Sequence, residues 1–128
     1  MRILLDTHAL LWFHALDNRL SKNAIALIEA KENECYYSII SLWEIGIKHS
    51  LGKLKLVDGL AGTFQAMERS HLHHLSFEQR HILQLATMPL HHRDPFDRML
   101  IAQAKAEDMH LLTADPHFAA YDVQLIKA

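Results

Sequence analysis

Near the start of the chain three aliphatic residues, Ile3-Leu4-Leu5, run straight into Asp6. A strand with one solvated face alternates apolar and polar side chains, so an unbroken apolar run describes a strand covered on both faces. Such strands belong to parallel sheets flanked by helices, which directs the whole chain toward α/β architectures. Asp6-Thr7 then marks the hand-over from this strand to a helical stretch from His8 to about Leu16.

The rest of the chain keeps that alternation. Ser21 is placed to cap a helix carrying Ile25 and Ile28 at helical spacing and ending near Asn33. Cys35-Tyr36-Tyr37 reads as a strand, and a helix follows from about Ile40 to Leu51 with Gly52 as its stop. Beyond a connection at Lys53 to Asp58 come a helix over Leu60 to Arg69 and an extended piece at His74-Leu75. Ser76 and Gln79 form an S-x-x-Q capping box for a helix through Ala86, and Asp94-Pro95 opens a helix running to about Glu107. Leu111-Leu112-Thr113 is a strand, Asp115-Pro116 starts a short turn, and Val123 to Ile126 is the last strand. The expectation is one α/β domain, residues 1–128, with a mainly parallel central sheet flanked by helices.

Ligands collect beyond the carboxyl ends of parallel strands, where helix N-termini also point. Asp6, Asp97 and Asp115 fall at such places. Glu44 sits in an otherwise apolar helix segment, sharing a face with Ser41 and Lys48 by i, i+3 and i+4 spacing. Carboxylates beside apolar segments lose hydration and repel one another, a cost that a divalent cation would offset. Simpler readings stand beside this one. Glu44 can pair with Lys48, Asp94 and Asp115 precede proline as ordinary helix caps, Asp97 suits a helix dipole, and Asp6 can cap the next helix.

Net charge is −2, yet without Asp6, Glu44, Asp94, Asp97 and Asp115 ten acids face thirteen lysines and arginines. An acidic centre in a mildly basic surround suits a nuclease acting on a polyanion, as it suits many soluble proteins. Cys35, the single cysteine, excludes an internal disulfide and reads as a buried structural thiol. The histidines cluster at His71, His73 and His74 and at His91-His92 without the spaced Cys and His pairs of structural zinc, and are expected to be solvated or capping. Trp12 and Trp43 are expected in the core, and Lys48, Lys53 and Lys55 are candidates for phosphate contact or for an ordinary charged loop. No apolar run approaches a membrane span and no secretory segment opens the chain, so a cytoplasmic protein is expected.

Four blocks carry a family resemblance: Leu4-Leu5-Asp6-Thr7-His8-Ala9-Leu10-Leu11-Trp12, Ser38-Ile39-Ile40-Ser41-Leu42-Trp43-Glu44-Ile45, His92-Arg93-Asp94-Pro95-Phe96-Asp97-Arg98-Met99-Leu100-Ile101-Ala102-Gln103-Ala104, and Leu111-Leu112-Thr113-Ala114-Asp115. In this order and spacing the chain resembles the PIN-domain ribonucleases, in particular the VapC-type toxins of bacterial toxin–antitoxin pairs. The resemblance implies that Asp6, Glu44, Asp97 and Asp115 form an acidic quartet around Mg²⁺ or Mn²⁺. Asp94 would be an accessory acid, with Thr7 and Thr113 as hydroxyls beside the quartet. It further implies RNA hydrolysis by a metal-activated water, a homodimer, and neutralisation by a small cognate antitoxin. Residues that bind RNA are not identified by it.

Three other readings share parts of this pattern. A phosphorelay receiver has acids after its first strand but no counterpart of Glu44, and it needs a lysine after a late strand where only Lys127 stands, almost at the chain end. A non-catalytic RNA-binding module and a structure-specific DNA nuclease differ from the ribonuclease reading in whether metal-dependent cleavage occurs and on which nucleic acid.

Overall fold

The computed structural model describes all 128 residues, Met1–Ala128. Five strands, β1 (Arg2–Leu5), β2 (Glu34–Ser38), β3 (His73–Leu75), β4 (His110–Thr113) and β5 (Leu125–Lys127), form one sheet. Their order is β3-β2-β1-β4-β5, and every pairing is parallel. Six helices connect them: α1 (Thr7–Ala15), α2 (Lys22–Glu29), α3 (Ile39–Ser50), α4 (Gly59–Arg69), α5 (Gln79–Ala86) and α6 (Pro95–Glu107). A 3₁₀ turn at Pro116–Ala120 leads to β5.

The triplet at the start of the chain explains the layering. Ile3, Leu4 and Leu5 are all fully buried, but alternate side chains leave a strand in opposite directions. Ile3 and Leu5 join the core formed with α1, α2, α4 and Cys35, whereas Leu4 joins the core formed with α5, α6, Phe118 and Tyr121. Helix α3 serves both, sending Ile45 into the first core and Ile40 into the second. It therefore crosses from one layer to the other just beyond the carboxyl end of β2. Each large aliphatic side chain buried in these cores contributes roughly 1.5–3 kcal/mol.

The strand order creates a switch point. From central β1 the chain winds outward through β2 to β3, then returns to the other side of β1 to lay down β4 and β5. Leu5 pairs with Leu112, and the Asp6 N–H donates to the Leu112 carbonyl at 3.0 Å, so Asp6 tops the sheet where the winding reverses.

Several expected boundaries move. Helix α2 stops at Glu29 rather than near Asn33, because Asn33 folds back, its side-chain amide donating to the Leu27 carbonyl. The N-cap of α5 is Glu78, and Ser76-Gln79 is not a capping box: the Glu78 N–H donates to His81 Nδ1 at 3.0 Å, closing the turn with a histidine. The last strand begins at Leu125, since the Val123 N–H turns back to the Tyr121 carbonyl. Trp43 is not core: it is 59% exposed and packs edge-on against Phe96. Cys35 is buried, as expected, and burial pushes its thiol up to about 11.

Candidate metal centre

Asp6 ends β1 with extended backbone and begins α1, its Oδ1 accepting from the Ala9 N–H at 2.8 Å. Its Oδ2 accepts from the Thr113 hydroxyl at 2.6 Å, and that hydroxyl in turn accepts the Asp115 N–H at 3.0 Å. Thr113 thus ties the ends of β1 and β4 together. Asp6 is only 4% exposed, and burial raises its pKa against the pull of the Thr113 and Ala9 donors. The charge of Glu44 adds to that rise.

Glu44 is 3% exposed and reaches the same region from α3. Thr7 Oγ1 donates to its Oε1 at 2.6 Å, with Ser41 Oγ 2.9 Å from the same hydroxyl, and Lys48 Nζ lies 2.5 Å from Oε2. Ser41 and Glu44 of the stripe therefore face α1 and the sheet end, while Lys48 stays partly exposed beside them. Burial would lower the Lys48 pKa, but Glu44 beside it, with Asp94 and Asp97 further off, holds it above the ordinary value.

Asp97 stands in the first turn of α6, which starts here because Pro95 occupies N1 and Asp94 Oδ1 accepts the N–H groups of Phe96 and Asp97. Its carboxyl is pushed up to about 6, first by burial and further by the charges of Asp94 and Glu44. His92 opposes the rise, its Nε2 lying 2.9 Å from Asp97 Oδ2. Asp94 thus caps, as expected, while Asp97 is left to face other acids.

Asp115 is attached differently. It caps the 3₁₀ turn through the His117 N–H, and its Oδ1 also meets His117 Nδ1, both at 2.9 Å. Burial tends to raise its pKa, yet the His117 contacts and the charge of His92 carry it below the ordinary value. The His117 ring stacks on His92 with centroids 5.0 Å apart, so a pair of histidines stands between Asp115 and Asp97. Charge repulsion therefore links Asp6 to Glu44 and Glu44 to Asp97, whereas Asp115 joins through Thr113 and the histidines.

The donor set suits a hard divalent cation: carboxylates among which burial and neighbouring charge raise the pKa of Asp6 and Asp97, with His92, Asp94 and Asp97 able to bring one donor atom each within 4.8 Å of one another. A second group, Glu78, His81 and Glu107, is equally compact but chemically unsuited. His81 Nδ1 accepts the Glu78 N–H, which leaves the proton on Nε2, the atom a metal would need bare.

Comparison with known families matches residues 3–124 to the PIN domain. The chain belongs to the PIN-domain family. No curated protein sequence matches it. Among solved structures, this PIN domain is similar to a chain of VapBC2 from Rickettsia felis bound to a DNA fragment from its promoter, at 19% identity and a TM-score of 0.77, covering 99% of this chain and 98% of that one. FitAcB from Neisseria gonorrhoeae (20% identity, TM-score 0.69, 97% and 96% covered) and VapBC-1 from nontypeable Haemophilus influenzae (17%, 0.69, 99% and 98%) share the fold. The receiver reading falls with the family assignment.

Sequence reasoning missed the part that two of this PIN domain's histidines, His92 and His117, play at the site. His92 was expected to be solvated or capping, yet it bonds Asp97, and His117 had no assigned place. The signal was thin, because His92 precedes its partner by five residues across a loop that folds back on its own helix. The loop is pinned by the Tyr121 hydroxyl, which accepts the N–H groups of His91 and His92 at 3.2 and 2.9 Å, a contact nearly thirty residues distant in sequence.

Proposed function

We propose that this PIN domain is the toxin of a toxin–antitoxin pair, a cytoplasmic endoribonuclease that hydrolyses RNA phosphodiester bonds with Mg²⁺ or Mn²⁺. One observation carries the reading: Asp6, Glu44 and Asp97 are drawn together beyond the strand ends of a parallel sheet, where burial and mutual repulsion raise two of their pKa values. Acids held in that state, though each has a partner within the chain, are stabilised further by a cation. When bound, the ion would supply Lewis-acid charge at the phosphate and activate a water for attack.

The chain's own residues do the rest. Asp6, Glu44 and Asp97 hold the ion, with Asp115 at the rim as fourth member of the quartet. Thr113 and Thr7 fix one oxygen each of Asp6 and Glu44, leaving fewer orientations to lose on binding. Asp94 sets the first turn of α6 and so the position of Asp97, and His92 orients Asp97 Oδ2. No side chain is required as a covalent nucleophile.

PIN domains of such toxins are generally nucleases using divalent metals, and the similar structures are complexes of the VapBC and FitAB type. A small antitoxin and a second copy of this chain are accordingly the proposed partners. No helix of the structure is long and apolar enough to cross a membrane. The deciding experiment offers purified, partner-free protein structured RNA and DNA of matched sequence, with Mn²⁺, with Mg²⁺ and in excess EDTA. Cleavage of RNA that needs metal is the expected result. Undiminished cleavage in EDTA, or preference for DNA, would overturn the reading. Expression alone should arrest growth, with relief by an adjacent small partner gene.

A further inference from the structure

Helix α3 ends in a loop that turns back on it. Gly52 has a positive φ of 72°, open to glycine at no steric cost, and the reversal lets the Lys53 N–H donate to the Lys48 carbonyl at 2.9 Å. The Leu54 carbonyl meets His49 Nδ1 at 3.2 Å, which holds the returning strand of the loop. Lys53 is thereby brought back beside Lys48, and both line a cavity of about 250 Å³ between α1 and α3.

The other walls of this cavity are Thr7 and His8 and the apolar side chains of Leu11, Ile45 and Leu54. Thr7 donates to Glu44 Oε1, and Lys48 is paired with Glu44 Oε2, so the cavity shares a wall with the acidic site on both sides of one carboxylate. Its volume is below the roughly 300–1,000 Å³ of ordinary small-molecule pockets. Two lysines at the edge of a partly apolar space of that size suit one phosphate, with part of its ribose against the leucines. The acids themselves repel a polyanion, which therefore needs positive charge close by to stay seated. Arg2, Arg19, Arg69 and Lys105 do not line the cavity.

We propose that this cavity is a backbone subsite, in which Lys48 and Lys53 hold a phosphodiester of single-stranded RNA next to the one being cleaved. The inference rests on the nuclease reading and assigns its substrate contacts. Lys48 has two partners to choose between, because a cation on Glu44 would displace its ammonium toward the cavity. Lys53 is exposed and has no ion-pair partner, so it is the cleaner reporter.

The test compares Lys53→Ala, Lys53→Arg and Lys55→Ala with the wild type. Lys55 lies two residues on with the same charge but lines a different hollow, with His14, Val57 and Thr63. Binding of a fluorescent, mixed-sequence, unpaired RNA 12-mer is followed across a salt series, with Ca²⁺ replacing Mn²⁺ so that binding is read separately from cleavage. Lys53→Ala should weaken binding about fivefold and reduce the slope of log affinity against log salt by about 0.7, the contribution of one single-strand phosphate contact. With Mn²⁺, KM should rise while kcat holds, and Lys53→Arg should restore both binding and KM. Lys55→Ala should leave all of these unchanged. Lys53→Ala matching the wild type, or Lys55→Ala losing as much, overturns the subsite and leaves the nuclease reading standing. Wild-type protein that neither binds nor cleaves RNA removes both.

Discussion

Two polar clusters are buried in this domain, and they differ in how their charge is balanced. Beneath α5, Ser38 donates to Gln103 Oε1 at 2.5 Å, Gln103 donates to the Ser76 carbonyl, His81 accepts from Glu78, and Arg80 pairs with Glu107. Its two carboxylates, Glu78 and Glu107, share the half-exposed Arg80 guanidinium, and His81 Nε2 is left without a hydrogen bond, 3.7 Å from Glu107 Oε2. Beyond the strand ends, three carboxylates answer to a single nearby lysine, and burial raises the pKa of Asp6 and Asp97. A polar cluster whose charges and amides find most of their partners within the chain holds a fold together. One left with net charge stores a cost that a ligand can relieve.

The sharpest way to break this comparison is Asp97→Asn. It removes one charge from the unbalanced cluster, so cleavage should fall about a hundredfold or more, on the scale of losing one electrostatic stabiliser. In the same variant the metal-free thermal midpoint should hold or rise, since a repulsion disappears. Full activity would take Asp97 out of the proposed quartet.

Acidity gives the next largest effect. The Asp97 carboxyl titrates at about 6 in the folded chain against 3.8 for its ordinary value, so the folded state holds the proton more tightly. The associated stability is fully present below pH 3.8 and is lost as pH rises through about 6. At about 1.4 kcal/mol per unit, reduced for partial exposure, it amounts to about 2 kcal/mol. Urea unfolding of metal-free protein between pH 4 and pH 7 should show this fall relative to Asp97→Asn, and saturating Mn²⁺ should abolish it. Parallel curves for the two proteins would show that Asp97 carries no such burden.

Gln103→Leu addresses the balanced cluster. It strands the Ser38 hydroxyl and the Ser76 carbonyl, and should cost about 2 kcal/mol of stability by chemical denaturation while the cleavage rate of the folded protein stays within twofold. Lost activity without lost stability would mean that the two clusters are coupled. The smallest effect is expected from Asp94→Asn, because asparagine caps a helix about as well as aspartate. Stability should change by less than about 0.5 kcal/mol and much of the activity should remain. A loss equal to that of Asp97→Asn would give Asp94 a direct part in holding the ion.

What could be read from the chain alone was what depends on near neighbours. The Ser21 and Asp94 caps and the Glu44–Lys48 pair rest on contacts within about one helical turn, where spacing decides geometry, and the strand at Ile3-Leu4-Leu5 declares itself by its local apolar pattern although its partners lie far along the chain. The parallel sheet followed from the continuous apolar run. What stayed hidden depends on distance: Thr113 reaches Asp6 across 107 residues, and Tyr121 holds the His92 loop across 29. The Ser76 box failed because a histidine supplied a cap that the usual pattern assigns to glutamine or glutamate. Trp43 defied its hydrophobicity because α3 spends its inward positions on Ile40, Ser41, Glu44 and Ile45, which leaves the indole outside.

Cys35 makes this protein its own unfolding clock. The chain has a single thiol, buried against α2 and pushed up to about 11, so almost none of it is thiolate at neutral pH while the fold is closed. Alkylating reagents can reach it only when β2 and α2 part. The labelling rate, followed as a mass increase, then counts opening events of the first core without any engineered probe. The same silence leaves a newly introduced surface cysteine as the one reactive position for attaching a dye.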